Sequence, residues 1–495
     1  MASASLPTEL YRAAEVRALD RSAIEGHGIP GYELMYRAGE AATRVLQRAW
    51  PAARMVAVLV GGGNNGGDGY VMARLLADEG REVRLLTLVD PAKLRGDAAR
   101  AMEAATAAGL SVQPFSTQSL AAADLAVDAL LGTGLERPVE GRWAETIEAL
   151  NGSGLPILAV DIPSGLHADS GQVLGVAVRA ALTVTFIGLK RGLFTGRGPE
   201  LCGELHFDDL RVPPEIYSAV LCSARRYAGE DRTALLPRRP RDAHKGRFGH
   251  VLVAGGDHGM AGAARMAAEA AARAGAGLVS VATRESHAGM QAALRPELMF
   301  RGVETLEALQ PLLARATVAA LGPGLGAGDW GRAIWSAVLA RELPTVVDAD
   351  GLNLLAQAPR RAAGWVLTPH PGEAARLLGC SVSEVEVDRF AAAAAIRERY
   401  GGVCLLKGAG TLVDAGEAPP WVVQGGNPGM ATGGTGDVLT GVISGLLAQG
   451  LSPAEAARLG AWAHAAAGDR AAADGERGLL ALDLMPHLRM LLNAL

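Results

Sequence analysis

Apolar residues fall in short unbroken runs, each followed by glycines or acids and then by a helical pattern. In the first half MVAVLV (Met55–Val60), EVRLLTL (Glu82–Leu88), DLAVDAL (Asp124–Leu130), PILAVD (Pro156–Asp161) and LTVTFI (Leu182–Ile187) read as buried strands. Helical spacing of apolar positions predicts helices over Glu9–Leu19, Leu34–Arg48, Tyr70–Asp78 and Asp97–Ala108. Continuously apolar strands alternating with helices imply a parallel sheet covered on both faces. The rhythm stops over Tyr217–Pro240, where the segment turns charged and proline-bearing, and restarts at HVLVAGG (His250–Gly256). Further strands are expected at Gly277–Thr283, Thr317–Gly324, Pro344–Asp350, Trp365–His370 and Gly402–Gly408, with alanine-rich helices between them. The chain therefore reads as two α/β domains, 1–222 and 223–495, and its 495 residues suit that division at about 150 residues or more per domain. The halves share no loop motif, so neither a solenoid nor a duplication is read.

Composition narrows the function. Charged residues make up 20% and apolar residues 49%, a globular balance. The net charge is 47 − 52 = −5 and aromatics are 4%, which gives no basic footprint or stacking platform for nucleic acid. The four cysteines, Cys202, Cys222, Cys380 and Cys404, are scattered, as free thiols in a reducing compartment would be. The opening segment interrupts its apolar residues with Glu and Arg, and no run of about 18 apolar residues occurs. A cytoplasmic protein without nucleic-acid or membrane partners is expected.

Nearly every glycine-rich or acidic cluster follows a strand, the edge where open parallel sheets bind ligands. GGGNNGGDG (Gly61–Gly69) lacks the lysine of a phosphate loop, yet its amides and the next helix start suit phosphate. Asn65, Asp128, Asp161 and Ser164 are hard oxygen donors at strand ends. They suit a monovalent or divalent cation or acid/base work, and equally the capping of helices and loops. Lys190 reads either as a phosphate contact or as a surface lysine.

In the second half NPGMATGGTGDVLTG (Asn427–Gly441) carries the strongest signal. Its glycines aim amides at a phosphoryl group at a helix start, and Asp437 stands beside them as a base for an attacking hydroxyl. LLKGAGT supplies Lys407 and Thr411. TPHPGE sets His370 between two prolines, with Glu373 opening a helix. GPGLG and DADGLNLL add Gly324, Asp348 and Asp350. Either of these two acids suits magnesium through water, or a plain loop. His464 reads as packing on an alanine-rich helix.

Taken in order, GIPGYELMYRAG, GGGNNGGDG, DALLGTGL, DIPSGL and the Lys190 loop resemble the NAD(P)H-hydrate epimerase family over roughly residues 10–212. The resemblance implies a Rossmann-like three-layer sandwich. It implies that Asn64, Asn65, Gly66, Gly67 and Asp68 contact the dinucleotide. Gly132, Thr133, Gly134, Leu135, Glu136, Arg137 and Pro138 would form a phosphate-side loop. Asn65, Asp128 and Ser164 would hold potassium, and Asp161 would be the acid/base group at the ring. HKGRFGHVLVAGG, GPGLG, DADGLNLL, TPHPGE, LLKGAGT and NPGMATGGTGD resemble the ribokinase-like ADP-dependent NAD(P)H-hydrate dehydratases over roughly residues 225–490. A second three-layer sandwich is then implied. Gly324, His370 and the catalytic Asp437 would meet the hydrated dinucleotide. Lys407, Gly408, Ala409, Gly410, Thr411 and Gly436 would meet ADP with magnesium. The whole chain is similar to bifunctional repair enzymes that return NADHX and NADPHX to NAD(P)H, and the resemblance implies a homo-oligomer. Two other readings stand beside it: a small-molecule kinase with a fused nucleotide-binding domain, and a dinucleotide-binding regulator without turnover.

Overall fold

A computed structural model describes residues 6–416 and 418–493. The first five residues of the opening segment, and the last two of the second expected domain, lie outside the described residues. The chain divides into two compact units, Met1–Arg225 and Arg226–Leu495.

The first unit is built on a parallel sheet ordered Val112–Pro114, Glu82–Thr87, Met55–Val60, Leu125–Ala129, Ile157–Val160, Leu182–Phe186, Glu204–Asp208. Alternate side chains of the central strand leave on opposite faces, as the two-residue period of a strand requires. Val56, Val58 and Val60 pack with helices Gly31–Ala49, Asn64–Asp78 and Gly96–Ala107. Ala57 and Leu59 pack with helix Arg142–Gly152 on the other side. Three layers result. From Met55–Val60 the chain first adds strands on one side, then returns to place Leu125–Ala129 on the other. The crevice beyond the carboxyl ends of these two strands is the switch point where such sheets bind ligands.

Three expectations need correction here. Glu9–Leu19 is not one helix. Glu9–Tyr11 is a strand pairing in parallel with Leu189–Lys190, and the helix runs Ala13–Arg21, because three apolar-flanked residues carry no period to separate the two states. The strand at Leu182–Phe186 is not the last, since half-exposed Glu204–Asp208 pairs outside it. The helix expected at Tyr70 begins at Asn64, so most of the glycine-rich loop is helical. Its glycines permit close packing. A Cβ at Gly66 would lie 2.1 Å from the Gly61 carbonyl oxygen, and one at Gly69 would lie 2.6 Å from the Ala129 Cβ.

The second unit orders its strands Met299–Gly302, Leu278–Thr283, His250–Ala254, Val318–Leu321, Thr345–Val347, Trp365–Leu367, Val403–Leu406, Thr411–Asp414, Trp421–Val423. The last two join antiparallel and the others parallel. Helix Thr435–Ala448 is buried along most of its length against Ala261–Ala274. Gly441 and Gly445 make this approach possible, since Cβ atoms there would meet the Ala267 and Ala271 carbonyl oxygens at 2.0 and 2.5 Å. Among the described residues the cysteines are free thiols, and no helix is long and apolar enough to cross a membrane.

Candidate active sites

At the switch point of the first unit lies a cavity of about 680 Å3. Asn64, Asn65, Asp68, Gly132, Thr133, Gly134, Leu135, Glu136, Arg137 and Asp161 line it, so residues far apart in sequence meet there. Pro138, Gly66 and Gly67 are not part of the lining. Gly67 instead faces Met35, whose sulfur would lie 2.5 Å from a Cβ at that position.

Asp161 ends its strand with a positive φ of 67°, a strained conformation for a non-glycine residue. Its carboxylate is ion-paired with Lys190. That lysine is 1% exposed, which corrects the surface reading of it, and it lines the same cavity. Its ammonium also donates to Thr185 Oγ1 and the Phe186 carbonyl, each at 3.0 Å, so all three protons are used. Asp68 is held well above the usual carboxylate range by burial, with Asp161 and Asp20 adding repulsion. Asp20, absent from the sequence reading, also lines the cavity, and burial raises it to about 6. Its signal was an acid beside the buried apolar stripe Ala13, Val16, Leu19 of its helix.

Asp128 and Ser164 do not line the cavity; both are fully buried. Ser164 Oγ donates to Asp128 Oδ1 at 2.6 Å and its amide to Oδ2 at 2.8 Å, while Leu131 N donates to Ser164 Oγ at 2.8 Å. Burial pushes Asp128 up to about 6. Asn65 has both side-chain polar atoms buried with no hydrogen-bond partner among the described residues. Its side chain packs on Gly132, where a Cβ would lie 3.2 Å from the Asn65 Cβ.

In the second unit the glycine-rich loop leads into helix Thr435–Ala448 through Gly434 at φ 96°. Thr435 Oγ1 donates to the Met430 and Thr432 carbonyls, both at 3.1 Å. His464 Nε2 donates to the Thr435 carbonyl at 2.8 Å, and burial pulls this imidazole down to about 4. His464 therefore braces the loop as a neutral donor, a role beyond packing.

Beneath the loop, Lys407 Nζ lies 2.8 Å from Asp348 Oδ1 and 3.7 Å from Glu373 Oε2. Thr440 Oγ1 holds the other Asp348 oxygen at 2.8 Å. Burial lowers the affinity of the Lys407 ammonium for its proton, but Asp348 and Glu373 outweigh this and raise it. A Cβ on Gly436 would stand 3.4 Å from Lys407 Nζ, so the loop and the lysine face each other directly. Burial, then the neighbouring Asp348, push Asp437 up to about 7. Gly408, Ala409 and Gly410 turn between strands Val403–Leu406 and Thr411–Asp414, and Thr411 Oγ1 donates to the Gly408 carbonyl at 3.0 Å.

His370 caps helix Pro371–Leu378. Its Nδ1 accepts from Gly372 N at 3.0 Å, and Glu373 accepts from the His370 amide at 2.8 Å. Burial lowers the imidazole. Asp350 accepts from Gly326 N at 2.9 Å and so ties down the loop containing Gly324, whose φ is 59°. The sequence alone separated neither Asp348 from Asp350 nor the structural Thr440 from an ordinary helix residue.

A mostly parallel sheet topped by a glycine-rich loop, with Asp437 beside it and the Lys407–Asp348 pair below, is the arrangement of a ribokinase-like fold. A ribokinase-like superfamily protein from Enterococcus faecalis matches it with a TM-score of 0.51 at 30% identity, covering 55% of this chain and 95% of that one. The family described as NAD(P)H-hydrate dehydratase matches residues 251–489, and the YjeF-related protein N-terminus matches residues 31–192. The bifunctional NAD(P)H-hydrate repair enzyme Nnr of Coxiella burnetii is 51% identical over 98% of this chain and 100% of its own length. That of Escherichia coli is 46% identical over 99% and 95%. The chain belongs to the bifunctional NAD(P)H-hydrate repair enzyme family.

Proposed function

We propose that the first unit interconverts the R and S forms of hydrated NADH and NADPH. The second dehydrates the S form with ADP, giving NAD(P)H, AMP and phosphate. The observation that carries this reading is the placement of Asp437, titrating near 7 between the glycine-rich loop and the Lys407–Asp348 pair.

In the second unit Asp437 takes the proton of the ring hydroxyl as its oxygen bonds to the terminal phosphorus of ADP and AMP departs. Lys407 and the amides around Gly436 hold the phosphate oxygens. The ring nitrogen lone pair then expels phosphate, and loss of a neighbouring ring proton restores the dihydronicotinamide. The gain is in the leaving group: phosphate leaves where hydroxide does not. Magnesium fits here chiefly through the nucleotide phosphates, the usual arrangement for this ion. Lys407, Gly408, Ala409, Gly410, Thr411 and Gly436 form the nucleotide side, and His370 and Gly324 the dinucleotide side.

In the first unit Asp161 exchanges a proton with the ring hydroxyl. Protonated, it donates as the carbon–oxygen bond breaks and water leaves. It recovers the proton when water adds to either face. Lys190 fixes its position, and Asp68, holding a proton, donates to a ligand oxygen. The unpartnered Asn65 and the buried Asp128 charge suit a potassium ion, with Ser164 as third donor. The ion would supply the counter-charge that Asp128 lacks. Four free thiols support a reducing cytoplasm, and the family likeness supports a homo-oligomer, which light scattering would measure.

The test follows absorbance as protein meets mixed R and S NADH hydrate with ADP, ATP or neither. Complete recovery of NADH with ADP is expected. Recovery of one form only would remove the epimerase, and none with either nucleotide would return the small-molecule kinase reading.

A further inference from the structure

The second unit has another cavity, of about 830 Å3, at the end of its sheet opposite the active site. Its lining runs from Phe248, just before strand His250–Ala254, to Gly275 and Gln449, the carboxyl-end caps of helices Ala261–Ala274 and Thr435–Ala448. The cationic lining is Arg238, Arg239, Arg247, Arg273, Arg295 and Arg489, against the acids Glu269 and Glu297.

Arginines at helix carboxyl ends offset the helix dipole, and Arg239 does so by donating to the Gly275 carbonyl at 2.6 Å. That role does not account for the number present. Six arginines less two glutamates leave +4, and two helix ends at about −0.5 each reduce this to about +3. The surplus stands out in a chain of net charge −5. Glu269, 4% exposed, engages Arg295 at 2.6 Å and Arg273 at 3.3 Å and fixes those two guanidinium groups. Arg238, Arg247 and Arg489 are exposed and form no ion pair among the described residues. Leu236, Leu298 and Leu492 supply an apolar side to the same space.

We propose that this cleft binds a phosphate-bearing small molecule, with its anionic end on Arg238, Arg247 and Arg489 and its apolar part against the leucines. Guanidinium forks match phosphate oxygens in pairs, and the volume falls within the range of small-molecule sites. Helix Thr435–Ala448 begins at the catalytic loop and ends here, so the two sites stand about 20 Å apart along one rigid element.

The probe is inorganic pyrophosphate, titrated calorimetrically into the full chain at low salt with ADP already saturating the nucleotide site. Wild type is expected to bind pyrophosphate under these conditions. The double variant Arg247→Ala/Arg489→Ala is expected to bind it at least tenfold more weakly, with its KM for ADP in dehydration unchanged. Arg238→Ala alone should weaken binding about threefold. Absence of pyrophosphate binding to the ADP-saturated wild type, or equal affinity in the double variant, would overturn the proposal.

Discussion

Each unit seals a lysine–aspartate pair at the carboxyl edge of its sheet, but the two pairs are turned inside out. In the first, Lys190 is 1% exposed and Asp161 16% exposed, so the carboxylate faces the cavity. In the second, Asp348 is 2% exposed and Lys407 20% exposed, so the lysine is the more open partner, and its ammonium lies beside Gly436. A carboxylate backed by a fixed cation suits proton exchange with a hydroxyl. An ammonium backed by a fixed anion suits phosphate. On the proposed mechanism the second unit takes its base from Asp437, in the first turn of a helix. On that mechanism the same pair of residue types serves opposite chemistry according to which partner is buried.

The sharpest break of this comparison is removal of each presented acid. Asp437→Asn should lower ADP-dependent dehydration about a thousandfold and leave epimerisation within twofold, measured on separated R and S hydrates. Asp161→Asn should lower epimerisation about a hundredfold or more and spare dehydration of the S form. Equal loss of both activities in either variant would contradict separate sites.

The lysines come next. Lys407→Met should raise the KM for ADP about tenfold or more, since a charge-assisted contact to phosphate is lost. Lys190→Met should leave that KM unchanged and lower the stability of its unit by about 3 kcal/mol in urea unfolding, because Asp161 loses its counter-charge. A shift in the KM for ADP with Lys190→Met would show that the pairs are not inverted in role.

A smaller effect concerns pH. Asp437 accepts a proton only when ionised, and its pKa is raised to about 7. Dehydration kcat/KM at saturating ADP should therefore rise about tenfold per pH unit below 7 and level off above it. The profile should lose this inflection in Asp437→Asn. The mildest change is His464→Ala, which deletes one hydrogen bond to the Thr435 carbonyl. It should cost about 1 kcal/mol, or roughly fivefold in dehydration, without altering epimerisation.

How much of this was readable from the chain depends on the range of the interaction. Central strands such as Met55–Val60 were legible because burial on both faces makes them continuously apolar. Edge strands Val112–Pro114 and Glu204–Asp208 were not, since their partly exposed residues carry no such run. Glycines marked the strand-end loops of both sites, because close backbone approach excludes any Cβ. The pairings inside the sites were invisible. Lys190 meets Asp161 across 29 positions, Lys407 meets Asp348 across 59, and Thr440 meets Asp348 across 92. A lysine after a strand reads as surface until the fold closes over it.

The central claim is that two independent chemistries share one chain, and mixing the two inactive forms tests it directly. Asp161→Asn and Asp437→Asn proteins are combined with mixed R and S NADH hydrate and ADP, and absorbance of NADH is followed to completion. Asp161→Asn alone should stop when the S form is spent, and Asp437→Asn alone should give no NADH. The mixture should recover all of it. Recovery by the mixture that stops where Asp161→Asn stops would contradict the account.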